Sequence, residues 1–188
     1  MYPDCARRAS LFEGLRQVDA DLAARTRKAG CPHCGGALDD GGWLRKPRGC
    51  EVDLPEKVRR RHGLCCRACR RRVLPPSAVF LDRKVYLGAV VLMSIAARQR
   101  RLVGSTANAL RKLFGVSKDT LGRWLAFFRV DLPASDRWRR VRGVVSADVR
   151  NDTLPSPLLA QLDRRLGEGE AALQACLRLL ATGELQAS

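Results

Sequence analysis

Apolar residues at helical spacing mark the start of the chain. Leu11, Leu15, Val18 and Leu22 recur at intervals of four, three and four, which predicts an amphipathic helix over about residues 7–28. We expect this stripe to pack against the rest of the same chain. Dimerisation through the stripe is the alternative, since the same spacing would serve either contact.

The pattern changes in residues 31–76, which have no helical period. Glycines and prolines interrupt this stretch every few residues, so short strands and turns are expected instead. Residues 43–46 and 58–64 have the composition of the strands. This part of the chain is therefore predicted to be a small β unit between helical regions.

Helical periodicity returns after this stretch. Residues 84–99 are apolar on most faces, which predicts a well-buried helix. A second helix is expected over about residues 105–114. A third begins after Ser117, a good N-cap, and runs to about Val130, because Pro133 disfavours a helical residue before it.

Two short helices are predicted at the end of the chain, over residues 158–166 and 170–180, separated by Gly167 and Gly169. The basic segment 137–142 before them is expected to be a linker. The predicted class is mainly α with a small β unit. Its parts are an N-terminal helix (1–30), the β unit (31–80), a trihelical domain (81–131), a basic linker (132–154) and a helical C-terminal tail (155–188).

Positive charge is concentrated in the middle of this order. The 188-residue chain has a net charge of +16. Eleven basic residues face three acids in 45–72, and fourteen face three in 83–142, whereas residues from 143 onward carry four Arg and six acids. Such an excess favours binding to polyanions. No apolar run approaches the roughly 20 residues of a membrane-spanning helix, so no membrane partner is expected.

Four of the eight cysteines form two CxxC pairs, Cys31-Pro-His-Cys34 and Cys66-Arg-Ala-Cys69. Paired thiolates from two tight turns suit one structural Zn²⁺ with all four positions filled. Cys65 is an alternative to Cys66, and the spacing to Cys69 favours Cys66. A redox CxxC is the competing interpretation. A redox site would have one CxxC motif at the start of a helix, whereas this chain has two such motifs in a Gly/Pro-rich stretch. His33 and His62 are expected to be exposed, and Cys5, Cys50 and Cys176 to be free thiols.

The third helix of the middle region has two distinct faces. Leu121, Trp124, Leu125 and Phe128 form one apolar stripe for a core. The opposite face has small and charged residues, as in a recognition helix that lies in the DNA major groove, where Arg123 would contact guanine. The residues predicted to contact double-stranded DNA are Ser117, Lys118, Asp119, Thr120, Gly122, Arg123 and Ala126, together with Arg111 and Lys112 before the turn. An ordinary helical hairpin with a solvated basic face is the alternative. The predicted class is thus mainly α with a small β zinc ribbon (31–80), and residues 81–131 are predicted to form a trihelical helix-turn-helix DNA-binding domain.

This order of motifs resembles the N-terminal DNA-binding portion of bacterial insertion-element transposases. The resemblance covers roughly residues 31–130 and rests on the two cysteine motifs and on Val116-Ser117 to Trp124. It implies that Cys31, Cys34, Cys66 and Cys69 hold zinc and that the helix from Ser117 to Arg129 binds DNA. It ends after residue 143, where too few residues follow for an RNase-H-like catalytic domain. The acids there are expected to be surface and cap residues (Asp148, Asp152, Asp163, Glu168 and Glu170).

We therefore expect a non-catalytic, cytoplasmic and nucleoid-associated DNA-binding protein of a bacterial mobile element. It would be an accessory or targeting subunit, working with a separate transposase or recombinase subunit. A transcription regulator is the alternative, and it would need a homodimer through the N-terminal stripe or through Leu173, Leu177 and Leu180. A transposase remnant with residual activity and a protein-interaction adaptor are the remaining hypotheses.

Overall fold

The structure, a computed structural model, describes residues 9–47, 54–81, 86–99, 115–167 and 169–184. These ranges are mainly helical with two small antiparallel sheets, so the predicted class is confirmed at that level. The helices are α1 (Ala9–Ala29), α2 (Glu56–Arg59), α3 (Gly88–Gln99), α4 (Lys118–Ala126), α5 (Leu132–Ala134), α6 (Asp136–Arg142), α7 (Ser156–Leu166) and α8 (Glu170–Thr182). The strands are β1 (Leu38–Asp40), β2 (Trp43–Leu44), β3 (Arg60–Arg61), β4 (Leu64–Cys66) and β5 (Arg72–Val73).

Helix α1 buries its predicted stripe against the same chain. Leu11, Leu15 and Leu22 are buried, and the helix packs on α8 and α2. The leucines of α8 that were considered for a dimer, Leu173, Leu177 and Leu180, are buried in the same core. Both stripes are therefore used within the chain, and neither is open for the dimer interface that the regulator hypothesis requires.

The cysteine-bearing region, here called the cysteine unit (residues 31–47 and 54–73), contains the five strands of the described ranges. One sheet has the order β1-β4-β5, and the other pairs β2 with β3. The strand predicted over 58–64 is wrong in part, because α2 occupies its beginning. The Pro55 carbonyl accepts hydrogen bonds from the amides of Val58 (2.9 Å) and Arg59 (3.3 Å), which starts a helical turn. Proline suits this position because its φ is already near the helical value.

One hydrophobic core joins the helices on both sides of the cysteine unit. It includes Phe80 before α3, Phe128 after α4 and Trp138 of α6, all almost completely buried. The side chains of α3 that the structure describes, Ala89 to Leu92 and Ala96, are buried as predicted, and Leu87 just before the helix is buried with them. The amphipathic faces of α1, α4, α7 and α8 thus cover a common interior.

The helix that begins after Ser117 does not end before Pro133 as predicted. After α4 the backbone forms a π-helical turn over Phe127–Asp131 and then continues through α5 to Ser135. Pro133 lies in the first turn of α5, where a missing amide hydrogen costs little. Ser135 is extended, and its hydroxyl accepts a hydrogen bond from the Trp138 amide, which caps α6.

The segment 132–154 is not an open linker. Its helix α6 buries Trp138 and Val141, and the Trp138 indole donates to Asn151 Oδ1 at 2.9 Å. Arg137 donates to the carbonyls of Leu180 (3.1 Å) and Ala181 (3.3 Å) near the C-terminal end of α8. A cation there satisfies carbonyls that have no helical partner and complements the helix dipole. Part of the basic charge predicted for DNA therefore has a structural role.

Asp19 of α1 binds the segment of the chain that follows the cysteine unit. This buried carboxylate accepts hydrogen bonds from the Ser77 hydroxyl and from the amides of Ala78 (2.6 Å) and Val79 (3.4 Å). Burial raises the pKa of Asp19 to about 6, while these hydrogen bonds and the charge of Arg61 oppose the rise. The interaction ties the chain after β5 to the helix that precedes Cys31.

The predicted helix over 105–114 lies outside the described residues, as do Cys5 and Cys50. Among the helices of the described ranges, none has the length and apolar character needed to cross a membrane.

Candidate metal centre and exposed helix face

The two CxxC motifs converge on one point. The thiol sulfurs of Cys31, Cys34, Cys66 and Cys69 all lie within 4.8 Å of one another and could hold a metal ion. The Cys31 and Cys69 sulfurs are 3.6 Å apart, and those of Cys34 and Cys66 are 3.5 Å apart. Each motif thus contributes two sulfurs, and the closest pairs connect one motif to the other.

The two cysteine turns have the same hydrogen-bond pattern. In the first, the Gly35 amide donates to the Cys31 carbonyl (2.8 Å) and the Cys31 amide donates to the Gly36 carbonyl (2.9 Å). The second turn repeats both bonds between Arg70 and Cys66 (3.1 Å) and between Cys66 and Arg71 (3.0 Å). The cluster is therefore built from two copies of one backbone turn.

Strand β4 separates Cys66 from Cys65. Cys66 pairs with Leu38 of β1 and is completely buried with Leu64 in a small core of the cysteine unit. Successive strand residues point to opposite faces, so the Cys65 side chain leaves the cluster. Its sulfur lies 3.7 Å from the Arg70 carbonyl oxygen. The structure thus brings together the four cysteines that spacing favoured and leaves Cys65 outside.

Gly36 is required by the crowding around the sulfurs. A Cβ atom at this position would lie 3.1 Å from the Cys66 sulfur and 3.4 Å from the Cys34 sulfur. A side chain would therefore press on both cysteine turns. Part of the signal in the Cys-Gly-Gly motif is this close approach, in addition to the positive φ of 72° at Gly35.

The surroundings of the sulfurs favour a thiolate at Cys66. The Cys69 amide is the main cause that lowers the pKa of Cys66 to about 6, with help from the Cys34 thiol and the Ala68 amide against the effect of burial. The Arg71 amide acts in the same direction on Cys69, but burial and the other three thiols raise its pKa to about 12. Thiolates that lie close together repel one another, so ionisation of one thiol makes ionisation of the next less favourable. A bound cation relieves this repulsion because it binds thiolates.

Neither histidine belongs to the cluster. His33 is exposed as expected, and its Nδ1 lies 3.4 Å from Arg71 Nη1. His62, which was expected to be exposed, is instead half-buried, and burial lowers its pKa. Cys176 is buried in α8, where desolvation raises the pKa of its thiol. Among the described residues, the four-sulfur cluster is the only group of this kind.

Helix α4 has the two faces that its sequence predicts. Leu121, Trp124 and Phe128 are buried, and the Trp124 ring meets the Tyr86 ring edge to face at a centroid distance of 4.9 Å. The solvent face of α4 and its flanks is formed by Ser117, Lys118, Asp119, Gly122, Arg123, Ala126 and Arg129. A Cβ atom at Gly122 would have no neighbour within 4 Å among the described residues.

Thr120 differs from the other predicted contact residues. Its side chain is buried, and its hydroxyl accepts hydrogen bonds from Ser117 Oγ (3.0 Å) and Arg123 Nη2 (3.1 Å). It therefore supports the N-cap and holds the Arg123 guanidinium along the helix. Ser117 Oγ in turn accepts a hydrogen bond from the Thr120 amide (3.2 Å), as predicted for a cap. Arg111 and Lys112 lie outside the described residues.

Among the described acidic residues after position 143, no three lie together as a group that could hold a metal ion. Asp148 accepts from Ser146 Oγ, Asp152 pairs with Arg150 at 2.7 Å, and Glu170 accepts from Ser10 Oγ. Asp163 is buried in α7, so the expectation that it is a surface or cap residue was wrong, and Glu168 is outside the described residues.

One feature was missed by the sequence interpretation. Trp43 was predicted only as part of a strand, yet the guanidinium carbons of Arg45 and Arg72 lie over its ring, 5.6 and 5.8 Å from the ring centroid. A tryptophan in an Arg-rich β unit is the signal that could have identified this site.

Comparisons of this chain with protein-family models, with curated proteins and with solved structures found no match.

Proposed function

We propose that this protein is a non-catalytic DNA-binding protein of a bacterial mobile element. It recognises double-stranded DNA with the exposed face of α4, while a structural zinc ion stabilises the cysteine unit as a zinc ribbon. It acts as an accessory or targeting subunit beside a separate transposase or recombinase. The observation that carries the proposal is the exposed face of α4, where Gly122 and Arg123 stand on a helix anchored by Trp124 and Phe128.

Gly122 supports a close contact with a ligand. Glycine in a helix interior costs about 1 kcal/mol relative to alanine. Among the described residues, no atom lies close enough to Gly122 to require the missing side chain. Close approach of a DNA groove or backbone to α4 would explain the cost.

The charges on this face fit the same role. Lys118 and Arg123 are exposed on α4, and Arg129 is exposed one turn beyond it. An Arg fork can bind guanine O6 and N7, and residues near a helix start suit phosphate contacts. Thr120 would hold Arg123 ready through its hydroxyl, because a preorganised side chain loses less entropy when it binds.

The sulfur cluster supports zinc as the metal. Four thiolates from two tight turns are the typical ligand set of structural zinc sites, and such closed sites leave no position for a substrate. In this chain Cys31, Cys34, Cys66 and Cys69 would hold the ion, which would contribute folding free energy to the small cysteine unit. The small core around Leu38 and Leu64 is a further reason to expect dependence on the metal.

A binding role without catalysis is supported by the described carboxylates. Those after residue 143 have structural partners or lie buried in a helix, instead of converging as an acidic metal site would require. Two observations weaken a symmetric regulator: the stripes of α1 and α8 are both buried within the chain. The assignment to a mobile element rests on the resemblance of the motifs to insertion-element transposases.

The test is selection of bound duplexes from random double-stranded DNA by the zinc-loaded, full-length protein. We expect one preferred site, and we expect Arg123→Ala to relax the preference at one base pair and weaken binding about 5- to 150-fold there. Arg164→Ala is the matched control, since Arg164 is exposed on α7 and away from α4 in the sequence. Equal effects of both variants, or no preferred site, would contradict the proposal. A long asymmetric site would support an element end, and a palindrome would favour a regulator.

A further inference from the structure

A pocket of about 500 Å³ lies beside the first cysteine turn, and α4 has no part in it. Its lining consists of Pro32, His33, Trp43, Arg72, Val73 and Leu74. Pockets of roughly 300 to 1,000 Å³ are the usual size of small-ligand sites. The pocket joins an aromatic ring, aliphatic side chains and a cation on one surface of the cysteine unit.

Trp43 is the aromatic ring of this pocket. The other two tryptophans, Trp124 and Trp138, are buried in the helical core, whereas Trp43 is partly exposed. Arg45 lies over both the Trp43 ring and the Phe80 ring, at 5.6 and 5.9 Å from their centroids. Arg72 also lies over the Trp43 ring, but it is exposed and lines the pocket. Arg72 is thus the cation that an incoming ligand meets.

The rim of the pocket retains positive charge. The nearby acids Asp39 and Asp40 of β1 are already paired, with Arg67 at 2.7 Å and Arg60 at 3.2 Å. Within the described ranges, no ion pair joins Arg71 or Arg72 to a carboxylate, and both side chains are exposed. Arg71 also approaches His33 of the pocket at 3.4 Å, which keeps its guanidinium at this rim.

An occupant of this pocket needs a flat apolar part and adjacent negative charge. Trp43 offers a stacking surface, and Leu74, which is 38 % exposed, extends the apolar wall. A nucleobase with its flanking phosphates has both properties, and single-strand binding sites combine aromatic stacking with a basic groove. An intact DNA duplex does not offer such a base to the pocket, because its bases are stacked on each other.

We propose that this pocket binds one unstacked base of single-stranded DNA on Trp43, with Arg71 and Arg72 at the neighbouring phosphates. The inference rests on the proposed DNA-binding function and adds a contact of a different kind. Helix α4 would recognise duplex, and the cysteine unit would hold an unpaired strand beside it. Such a division fits a protein that acts where DNA strands are opened.

The probe is a single-stranded thymidine dodecamer, titrated into zinc-loaded full-length protein at two salt concentrations. Tryptophan emission is the readout, because a base stacked on Trp43 quenches it while Trp124 and Trp138 stay shielded. We expect quenching in the wild type. Variants at position 43 lack this reporter, so their affinity is measured by the fluorescence anisotropy of a dye-labelled dodecamer. Stacking contributes about 1–3 kcal/mol per base, so Trp43→Leu should weaken binding about 5- to 150-fold. Trp43→Phe should remain within about threefold of wild type.

Arg72→Met keeps the aliphatic stem and removes the charge. It should weaken single-strand binding more than Arg165→Met, which removes an equal charge from exposed Arg165 of α7. If Trp43→Leu fails to retain zinc, the comparison of Arg72→Met with Arg165→Met tests the inference instead. Equal effects of the two Met variants would overturn the inference, as would unchanged binding by a zinc-loaded Trp43→Leu protein.

Two further measurements separate this inference from the proposed function. Binding of a selected duplex should be unaffected by Trp43→Leu and reduced by Arg123→Ala. Loss of duplex preference with retained quenching would overturn the role of α4 alone, and the reverse would overturn the pocket alone. Equal quenching by polyglutamate would show a general polyanion or acidic-peptide site and would also overturn the inference.

Discussion

Gly35 and Arg70 occupy the same position in the two cysteine turns. Each follows the second cysteine of its motif, each donates its amide to the carbonyl of the first cysteine, and each has a positive φ, 72° and 59° respectively. Glycine adopts this left-handed conformation freely, whereas a residue with a Cβ atom pays about 1–2 kcal/mol. The second turn therefore carries backbone strain that the first avoids.

Replacement of Arg70 by glycine should raise the stability of the metal-loaded protein. We expect a gain of about 1 kcal/mol, because the strain at φ 59° is removed and part of that gain is offset by the greater freedom of glycine in the unfolded chain. Urea unfolding at fixed zinc concentration measures it. Arg70→Ala controls for the lost charge and should bring no comparable gain. If both variants gain equally, charge repulsion and not backbone strain is the cause.

The thiol cluster predicts unequal effects of two adjacent serine substitutions. Cys66→Ser should lose the metal and unfold the cysteine unit, since the Cys66 sulfur lies 3.5 Å from that of Cys34 in the cluster. Cys65→Ser should keep one metal per chain, because Cys65 points away. Metal content after gel filtration and a thiolate–cobalt absorption band are the measurements. Retained tetrathiolate absorption in Cys66→Ser would show that Cys65 can replace it.

Gly122→Ala should separate stability from binding. The new methyl group meets no atom within 4 Å, so the variant should melt at a higher temperature, with a gain of up to about 1 kcal/mol from helix propensity. Its affinity for duplex DNA should fall, because the methyl group blocks close approach. A gain in stability together with a loss of DNA affinity in this variant would identify Gly122 as a functional glycine. A stabilised variant with unchanged affinity would remove Gly122 from the interface.

Asp19 makes the stability depend on pH in a defined window. Its folded-state pKa of about 6 lies above the ordinary value of 3.8, so the neutral form is favoured by folding. The resulting stability is fully present below about pH 4 and is lost as the pH rises through 6. Between about pH 7.5 and about pH 5, the wild type should therefore gain about 1.4 kcal/mol relative to Asp19→Asn.

Asp19→Asn is the reference protein, because asparagine keeps an oxygen that can accept a hydrogen bond from the Ala78 amide and has no titratable proton. Comparing the two proteins at each pH cancels the titration of the thiols and histidines. A constant difference across the window would mean that Asp19 is ionised throughout, held by Ser77, the two amides and Arg61.

Local sequence signals predicted α1, α4 and the choice of Cys66 because each depends on neighbours in the chain. The spacings of four, three and four between Leu11, Leu15, Val18 and Leu22, and the spacing of Cys66 to Cys69, need no knowledge of tertiary structure. The failures involve distant partners. Trp138 and Val141 are only two apolar positions among arginines, and their burial depends on the core formed by other helices.

The candidate site shows the same division. The solvent face of α4 followed from periodicity, but the burial of Thr120 depends on its hydrogen bonds with Ser117 and Arg123. Asp19 could not be recognised as an anchor, since a single acid on a helix usually faces water. Its partners, Ser77 and Ala78, lie almost sixty residues later.

The interaction of Asp19 with Ser77 also determines how the protein can change. Cys31 follows α1 after a single glycine, and the chain that leaves the cysteine unit returns to the same helix at Asp19. The cysteine unit is thus a loop closed at its base, and doubling the length of such a loop costs only about 0.6 kcal/mol. Leu54 and Val58 lie in this loop and pack in the helical core. Insertions, deletions or replacements elsewhere between these two points can therefore alter the surface of the loop, while the helical core that presents α4 keeps its architecture.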